Sequence, residues 1–325
     1  MAFVSRWKCA LLAAFLISAA AGWSAAGAQT YPTKAVAIVV PFPPGATTDA
    51  IARIIAQQAS TTLGKPIVID NKPGAEGMLA AQDVAKAAPD GYRILLGTSG
   101  NLSIVPASRK NPPYDVATDF TPIADVGRYQ FFLYTHPSLP AKTFREFIDY
   151  AKANPGKLSY GTGNNTGVIN MAGFRSAHGL DMVHVPYKGE PPAVIDLLAG
   201  RVQAMVGTGI GIPHAREGKL RMLVALLPKR SPLAPDVPTL VETGQKDLEV
   251  ILFAGIVGPA GIPADVVQRL NTELNAAMAN PDVIAQIEKL GFTLTPTRVD
   301  TFGAMLKDQL VAYRKAVRDA GLPIE

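Results

Sequence analysis

Ala35-Val36-Ala37-Ile38-Val39-Val40 is followed at once by Pro41-Phe42-Pro43-Pro44-Gly45-Ala46 and then by Thr47-Thr48-Asp49. The first six residues are apolar and mostly β-branched, which suits a strand, and Pro41 ends it because it cannot donate to a sheet ladder. The two threonines and the aspartate open a helix whose apolar side carries Ile51, Ile54, Ile55 and Leu63, with Gly64 and Pro66 stopping it. The unit is strand, loop, helix. Such a loop lies at the carboxyl end of a strand and at a helix start, where unpaired N–H groups favour an anion.

The same phrase recurs along the chain. A run at residues 67–70 leads into Asn71-Lys72-Pro73-Gly74 and a helix near residues 78–88, and a run at 92–96 leads into Gly97-Thr98-Ser99-Gly100. Later runs at 158–160, 183–187 and 202–206 each meet a loop, and helical patterns at 168–177 and 193–198 follow the first two. This alternation predicts parallel strands joined by crossover helices. Two longer apolar stretches, residues 123–134 and 220–227, read as strands that pass from one sheet to another. The expected fold class is α/β in two lobes, each a mostly parallel sheet flanked by helices, joined by two crossing strands. Residues 29–127 and 228–325 then form a discontinuous domain I, and residues 128–227 an inserted domain II. Lobes joined in this way can rotate about a hinge and enclose a ligand. The tail supplies a strand at 250–257 and helices at 265–278, 282–290 and 301–320. The last of these carries Phe302, Met305, Leu306, Leu310, Tyr313 and Val317 at helical spacing, a core stripe.

Residues 1–28 are read as an export signal. Arg6 and Lys8 precede an apolar run at 10–21, and Ala26-Gly27-Ala28 fits a cleavage site before Gln29. The run is shorter than the roughly 20 residues of a membrane-spanning helix. The sole cysteine, Cys9, lies inside that leader, so the exported chain has no disulfide, thiol nucleophile or cysteine metal site. What remains is roughly 300 residues, enough for two domains with ample core. The net charge of +5 includes two charges from the leader, and no run of basic residues stands out. That pattern excludes a nucleic-acid partner and leaves a surface mildly attractive to small anions.

Five loops after strands share a composition rich in Gly, Thr, Ser, Asn and Pro. From the first come Phe42, Pro44, Gly45, Ala46, Thr47, Thr48 and Asp49, and from the second Thr98 and Ser99. The third gives Gly163, Asn164, Asn165 and Thr166; Tyr187 precedes the fourth; Gly207 and Thr208 belong to the fifth; Phe253 from the late strand completes the candidate set. Taken singly, these threonines read first as helix caps and the glycines as turns. The joint pattern is what points to a ligand. About four hydrogen bonds to a charged group, at roughly 1.5–3 kcal/mol each, approach the ~8 kcal/mol of micromolar binding without any lysine or arginine.

Catalytic patterns are missing. None of the four histidines, His136, His178, His184 and His214, has a partner at metal-ligand spacing, and no G-x-S-x-G elbow occurs. The loop Gly161-Thr162-Gly163-Asn164-Asn165-Thr166-Gly167 imitates a dinucleotide loop, but its last glycine comes one residue late. Asp49 and Glu190 are the only acids in the candidate loops, and they read as caps or closing partners as readily as an acid/base pair.

Particular phrases resemble a known family. Tyr31-Pro32-Thr33-Lys34, Val40-Pro41-Phe42-Pro43-Pro44-Gly45, Asn71-Lys72-Pro73-Gly74-Ala75 and Ala88-Pro89-Asp90-Gly91-Tyr92 recur in order in the tripartite tricarboxylate transporter substrate-binding proteins, the Bug family. Pro113-Tyr114-Asp115, Asn154-Pro155-Gly156-Lys157-Leu158, Val183-His184-Val185-Pro186-Tyr187-Lys188-Gly189, the segment from Lys229 to Thr239 and Gly258-Pro259-Ala260-Gly261 continue the likeness over the whole exported chain. The resemblance implies a type II periplasmic-binding-protein fold and a periplasmic receptor that is no enzyme. It also implies a small organic carboxylate as ligand (a di- or tricarboxylate, an acidic amino acid or an aromatic acid), no cofactor or metal, a monomer, and delivery to the membrane permease subunits of a secondary transporter. A loaded sensor docking on a receptor, or an enzyme acting on the same acid, remain alternatives. By the same resemblance the loops at 42–49 and 161–166 hold the ligand. This sequence departs from the family at Asn164-Asn165-Thr166-Gly167, which lacks the usual histidine, at Val206-Gly207-Thr208, which lacks an acid, and at Glu190, where a small residue is common. Contact between Glu190 and the ligand is left open.

Overall fold

The computed structural model describes residues 31–227, 229–245, 251–319, 321 and 324; the export signal and its cleavage near Ala28 lie outside them. Strand β1 (Val36–Val40) is the decisive stretch. It is buried at four of its five positions because it lies between two parallel neighbours, β2 (Ile67–Asn71) and β3 (Arg93–Thr98), with helices against the sheet. A strand in that position needs apolar residues on both faces, which is what its Val/Ile composition supplies. Helix α1 (Thr47–Leu63) makes the crossover from β1 to β2, burying Ile51, Ala52, Ile55, Ala56, Ala59 and Leu63. It stops at Gly64, whose φ of 76° is the left-handed cap that glycine adopts without strain. Helix α2 (Met78–Ala85) then precedes β3.

The chain continues through β4 (Phe120–Tyr129) and β5 (Phe132–Thr135), α3 (Phe144–Ala153), β6 (Ser159–Thr162), α4 (Asn165–His178), β7 (Val183–Pro186), α5 (Glu190–Leu198), β8 (Ala204–Gly207) and β9 (Arg221–Ala225). Strand β10 (Phe253–Pro259), α6 (Ala264–Met278), α7 (Pro281–Glu288), β11 (Phe292–Leu294) and α8 (Val299–Asp319) finish it. Two sheets result. Their strand orders are β11-β4-β10-β3-β1-β2 and β7-β6-β8-β5-β9. The described residues from Lys34 onward belong to one compact unit.

Several elements differ from the sequence reading. The sheets are mixed: β1, β2 and β3 run parallel, as do β6, β7 and β8, but β10, β4 and β11 pair antiparallel, and so do β5, β8 and β9. The stretch expected as one crossing strand is two, β4 in the first sheet and β5 in the second, broken at Gln130 and Phe131, where Gln130 N donates to Gly291 O at 2.8 Å. Gly127 lets β11 close in: a Cβ there would lie 2.1 Å from Thr293 O. Helix α5 starts at Glu190 rather than 193, since Pro191 and Pro192 occupy first-turn positions where proline's missing N–H has no cost. The loop expected after β3 is helical from Gly100.

Each sheet carries its own core. Val39, Leu95, Phe253, Val257, Phe302 and Leu306 cluster on the first. Phe132, Tyr134, Leu197, Val202 and Met205 cluster on the second. The stripe of α8 is confirmed as packing surface: Phe302, Leu306, Tyr313 and Val317 are buried.

Candidate functional site

The loop between β1 and α1 turns at Gly45, with φ of 83°. Its shape is fixed by Asp49. The carboxylate accepts from Gly45 N (3.0 Å), from Arg53 Nε (3.1 and 3.0 Å) and from Asn71 Nδ2 (2.8 Å), and Asn71 also donates to Phe42 O at 3.0 Å. Burial pushes the Asp49 carboxyl upward, but the bonds from Arg53, Gly45 and Asn71 outweigh it and hold the group below its ordinary value. With Asp49 turned to the loop, Thr47 and Thr48 present the helix start. Their amides stand in the first turn and have no acceptor within α1.

The facing helix, α4, begins the same way. Asn164 caps it, its Oδ1 accepting from Gly167 N at 2.7 Å, and the Asn165 and Thr166 amides have no intrahelical acceptor. Gly163 has to be glycine: a Cβ there would meet Glu190 N and Cα at 2.5 Å. Thr98 and Ser99 come from the end of β3, whose last amide donates to Asn101 Oδ1 at 2.7 Å.

These elements meet around one cavity of about 720 Å³, within the size range of small-molecule sites. Contacts among the described residues join its two sides. Thr47 Oγ1 lies 2.8 Å from Thr208 Oγ1, Asn165 Nδ2 donates to Glu76 O at 3.4 Å, and Pro43 packs on Gly189, where a Cβ would lie 2.9 Å from Pro43 Cγ. Thr48 Oγ1 is 2.6 Å from the buried Tyr129 hydroxyl.

Of the residues singled out in the sequence, Phe42, Ala46, Thr47, Thr48, Thr98, Ser99, Gly163, Asn164, Asn165, Thr166, Tyr187 and Thr208 line the cavity. Pro44, Gly45, Asp49, Gly207 and Phe253 are not among the lining residues. Pro44 and Gly45 are exposed on the loop; Asp49 braces the loop from behind; Gly207 is buried in β8 and Phe253 in the core of the first sheet.

Other lining residues come from segments that sequence reasoning passed over. Tyr129 and Phe131 arrive from the break between β4 and β5, and Pro73, Gly74, Ala75, Glu76 and Gly77 form a wall after β2. Ala75 and Glu76 hold φ of 44° and 60°, a left-handed conformation that costs non-glycine residues energy and collects at ligand sites. The Pro73-Gly74 turn at a strand's carboxyl end was a signal of the same kind as the other loops. His184 Nε2 bonds Thr162 Oγ1 at 2.6 Å and the ring stacks on Tyr160; burial, helped by the Arg175 charge, lowers its pKa.

Of the two acids that line the cavity, Glu76 is exposed and Glu190 is buried. It is 6% exposed. Its carboxylate accepts from the Thr208 amide (3.1 and 3.2 Å), the Thr208 hydroxyl and Asn164 Nδ2. All three donors are neutral. Burial pushes the carboxyl up to about 7 in spite of them. Among the described residues, no three or more His, Cys, Asp or Glu are grouped to hold a metal, and no helix is long and apolar enough to cross a membrane.

Residues 51–322 match the family model described as tripartite tricarboxylate transporter family receptor. Among solved structures, the chain is similar to the periplasmic binding protein BugD, at 32% identity over 90% of this chain and 99% of that one, with a TM-score of 0.86. An R. palustris protein solved with adipate is 31% identical over 90% and 99% of the two chains, with a TM-score of 0.86. MatC from Rhodopseudomonas palustris, with bound malate, is 30% identical over 88% and 100%, with a TM-score of 0.83.

Proposed function

We propose, from the premise that this chain belongs to the tripartite tricarboxylate transporter receptor family, that it captures one small organic acid between its two sheets and delivers it to membrane permease subunits. One observation carries this reading: two helix starts from different sheets, at Thr47-Thr48 and at Asn165-Thr166, face a single cavity of about 720 Å³. Helix starts carry partial positive charge, and their free amides hydrogen-bond an anion without the desolvation cost of a buried lysine or arginine. Similar proteins solved with adipate and malate support a carboxylate as that anion.

On this reading residues 29–127 with 228–325 make one lobe and 128–227 the other, and the exported monomer works in the periplasm after cleavage near Ala28. The lobes close when Thr47 meets Thr208. Phe42, Ala46, Thr48, Thr98, Ser99, Gly163, Asn164 and Tyr187 complete the ligand's surroundings. The acid is bound and released without being turned over.

A thermal-shift panel of carboxylic acids on the exported form of the protein tests the proposal. At a concentration of about 100 times Kd a ligand adds ~2.7 kcal/mol, which raises Tm by several degrees. A panel of mono-, di- and tricarboxylates that leaves Tm unmoved contradicts it.

A further inference from the structure

Glu190 stands in the cavity wall without an ion-pair partner among the described residues, although Lys188 also lines the cavity. Its hydrogen-bond donors are Asn164 Nδ2 and the amide and hydroxyl of Thr208, and no lysine, arginine or histidine reaches it among the described residues. The ionisable groups that feel its charge, Tyr129 and Tyr134, are buried phenols held above their ordinary range, so they do not neutralise it. A buried carboxylate without a countercharge is costly, and the cost falls if a ligand brings the charge.

Its neighbours take their polarity from it. A hydroxyl has one hydrogen to donate. Thr208 gives its hydrogen to Glu190, so in the 2.8 Å contact with Thr47 it can only accept, and Thr47 is the donor. With its own hydrogen spent on Thr208, Thr47 shows the cavity only lone pairs. The Thr208 carbonyl is already taken by Tyr134, whose hydroxyl donates to it at 2.7 Å. The flank made by Glu190 and Thr47 therefore accepts hydrogen bonds and carries negative charge. A second carboxylate placed there meets a like charge and lone pairs.

We propose that Glu190 selects the ligand class: the acid bound here also carries a protonated amine, which sits against Glu190 and the Thr47 hydroxyl while its carboxylate takes the helix starts. This rests on the carboxylate-receptor reading and narrows it.

Calorimetry with acids matched in skeleton tests the assignment: succinate with aspartate, glutarate with glutamate, and butyrate with 4-aminobutyrate. The amine-bearing member of each pair that binds is expected to bind at least about tenfold tighter, and Glu190→Gln is expected to reduce that advantage to about threefold or less. In the wild-type protein the same advantage shrinks as pH falls from about 8 to about 5.5 and the carboxylate gains a proton; this series decides the matter if the variant does not fold. Amine-free acids binding as tightly as their partners, with a ratio unmoved by the substitution or by pH, would overturn the role of Glu190 and leave the receptor reading standing. Failure of every acid, with or without an amine, overturns both.

Discussion

The hydroxyl oxygens of Thr47 and Thr208, 161 positions apart in the chain, lie 2.8 Å from each other across the cavity. Thr47 opens α1 beside the first sheet, and Thr208 follows β8 in the second. Their contact is a side-chain hydrogen bond that ties the two sides together over the site.

Removing it separates binding from folding. Thr47→Val is expected to weaken ligand binding about fivefold, the equivalent of one hydrogen bond of ~1 kcal/mol, while the ligand-free protein melts within about two degrees of wild type. Titration calorimetry and differential scanning calorimetry on the same samples measure the two effects.

Thr48 behaves differently. Its hydroxyl bonds the Tyr129 hydroxyl at 2.6 Å, and both groups are buried. Thr48→Val strands the phenol without a partner, which costs about 1–3 kcal/mol of stability even without ligand. Urea unfolding of Thr48→Val, Tyr129→Phe and the double variant checks this. The double variant should be less destabilised than the two losses added together.

Gly163 and Gly173 make a matched pair. A Cβ on Gly163 would stand 2.5 Å from the Glu190 backbone, whereas Gly173, inside α4, has nothing within 4 Å of the corresponding position. Gly163→Ala is expected to lower stability by about 1–3 kcal/mol, as overpacking does, and to weaken ligand binding by moving the start of α4. Gly173→Ala is expected to raise stability by up to about 1 kcal/mol through helix propensity.

Glu190 and Asp49 predict opposite responses to pH. Burial lifts the Glu190 carboxyl from 4.5 to about 7 in the folded protein, so between those values the folded state holds a proton that the unfolded state has lost. Stability therefore falls as pH rises through that window and levels off above it, by up to about 3 kcal/mol for this group. Glu190→Gln removes this component, so its stability relative to wild type should climb from pH 4.5 to about 7. Asp49 is held below its ordinary 3.8, and its contribution is lost only as pH falls beneath that value. Chemical denaturation across pH measures both.

Much of the fold could be read from local chemistry. The β-branched run at β1, the proline that ends it and the threonines that open α1 specify strand, loop and helix from neighbouring residues alone, and the structure has all three. Helix starts and strand ends are local events, so Thr47, Thr48, Asn165 and Thr166 were legible as a set. Asp49 was not assignable, because its direction depends on Asn71, 22 positions away. Phe253 failed for a similar reason: which face of β10 meets the core depends on Phe302 and its neighbours in α8. The antiparallel pairing of β10 with β3 and β4 depends on where the chain returns, and no local signal encodes that. Tyr129 reaches the cavity from the end of β4, next to the break at Gln130.

The most direct test is a crystal structure of the protein with the tightest-binding acid from the panel. Carboxylate oxygens are expected within about 3.2 Å of backbone amides at the starts of α1 and α4, with the Thr47 and Thr208 hydroxyls still in contact. A carboxylate held elsewhere, or held by lysine or arginine side chains away from both helix starts, would contradict it.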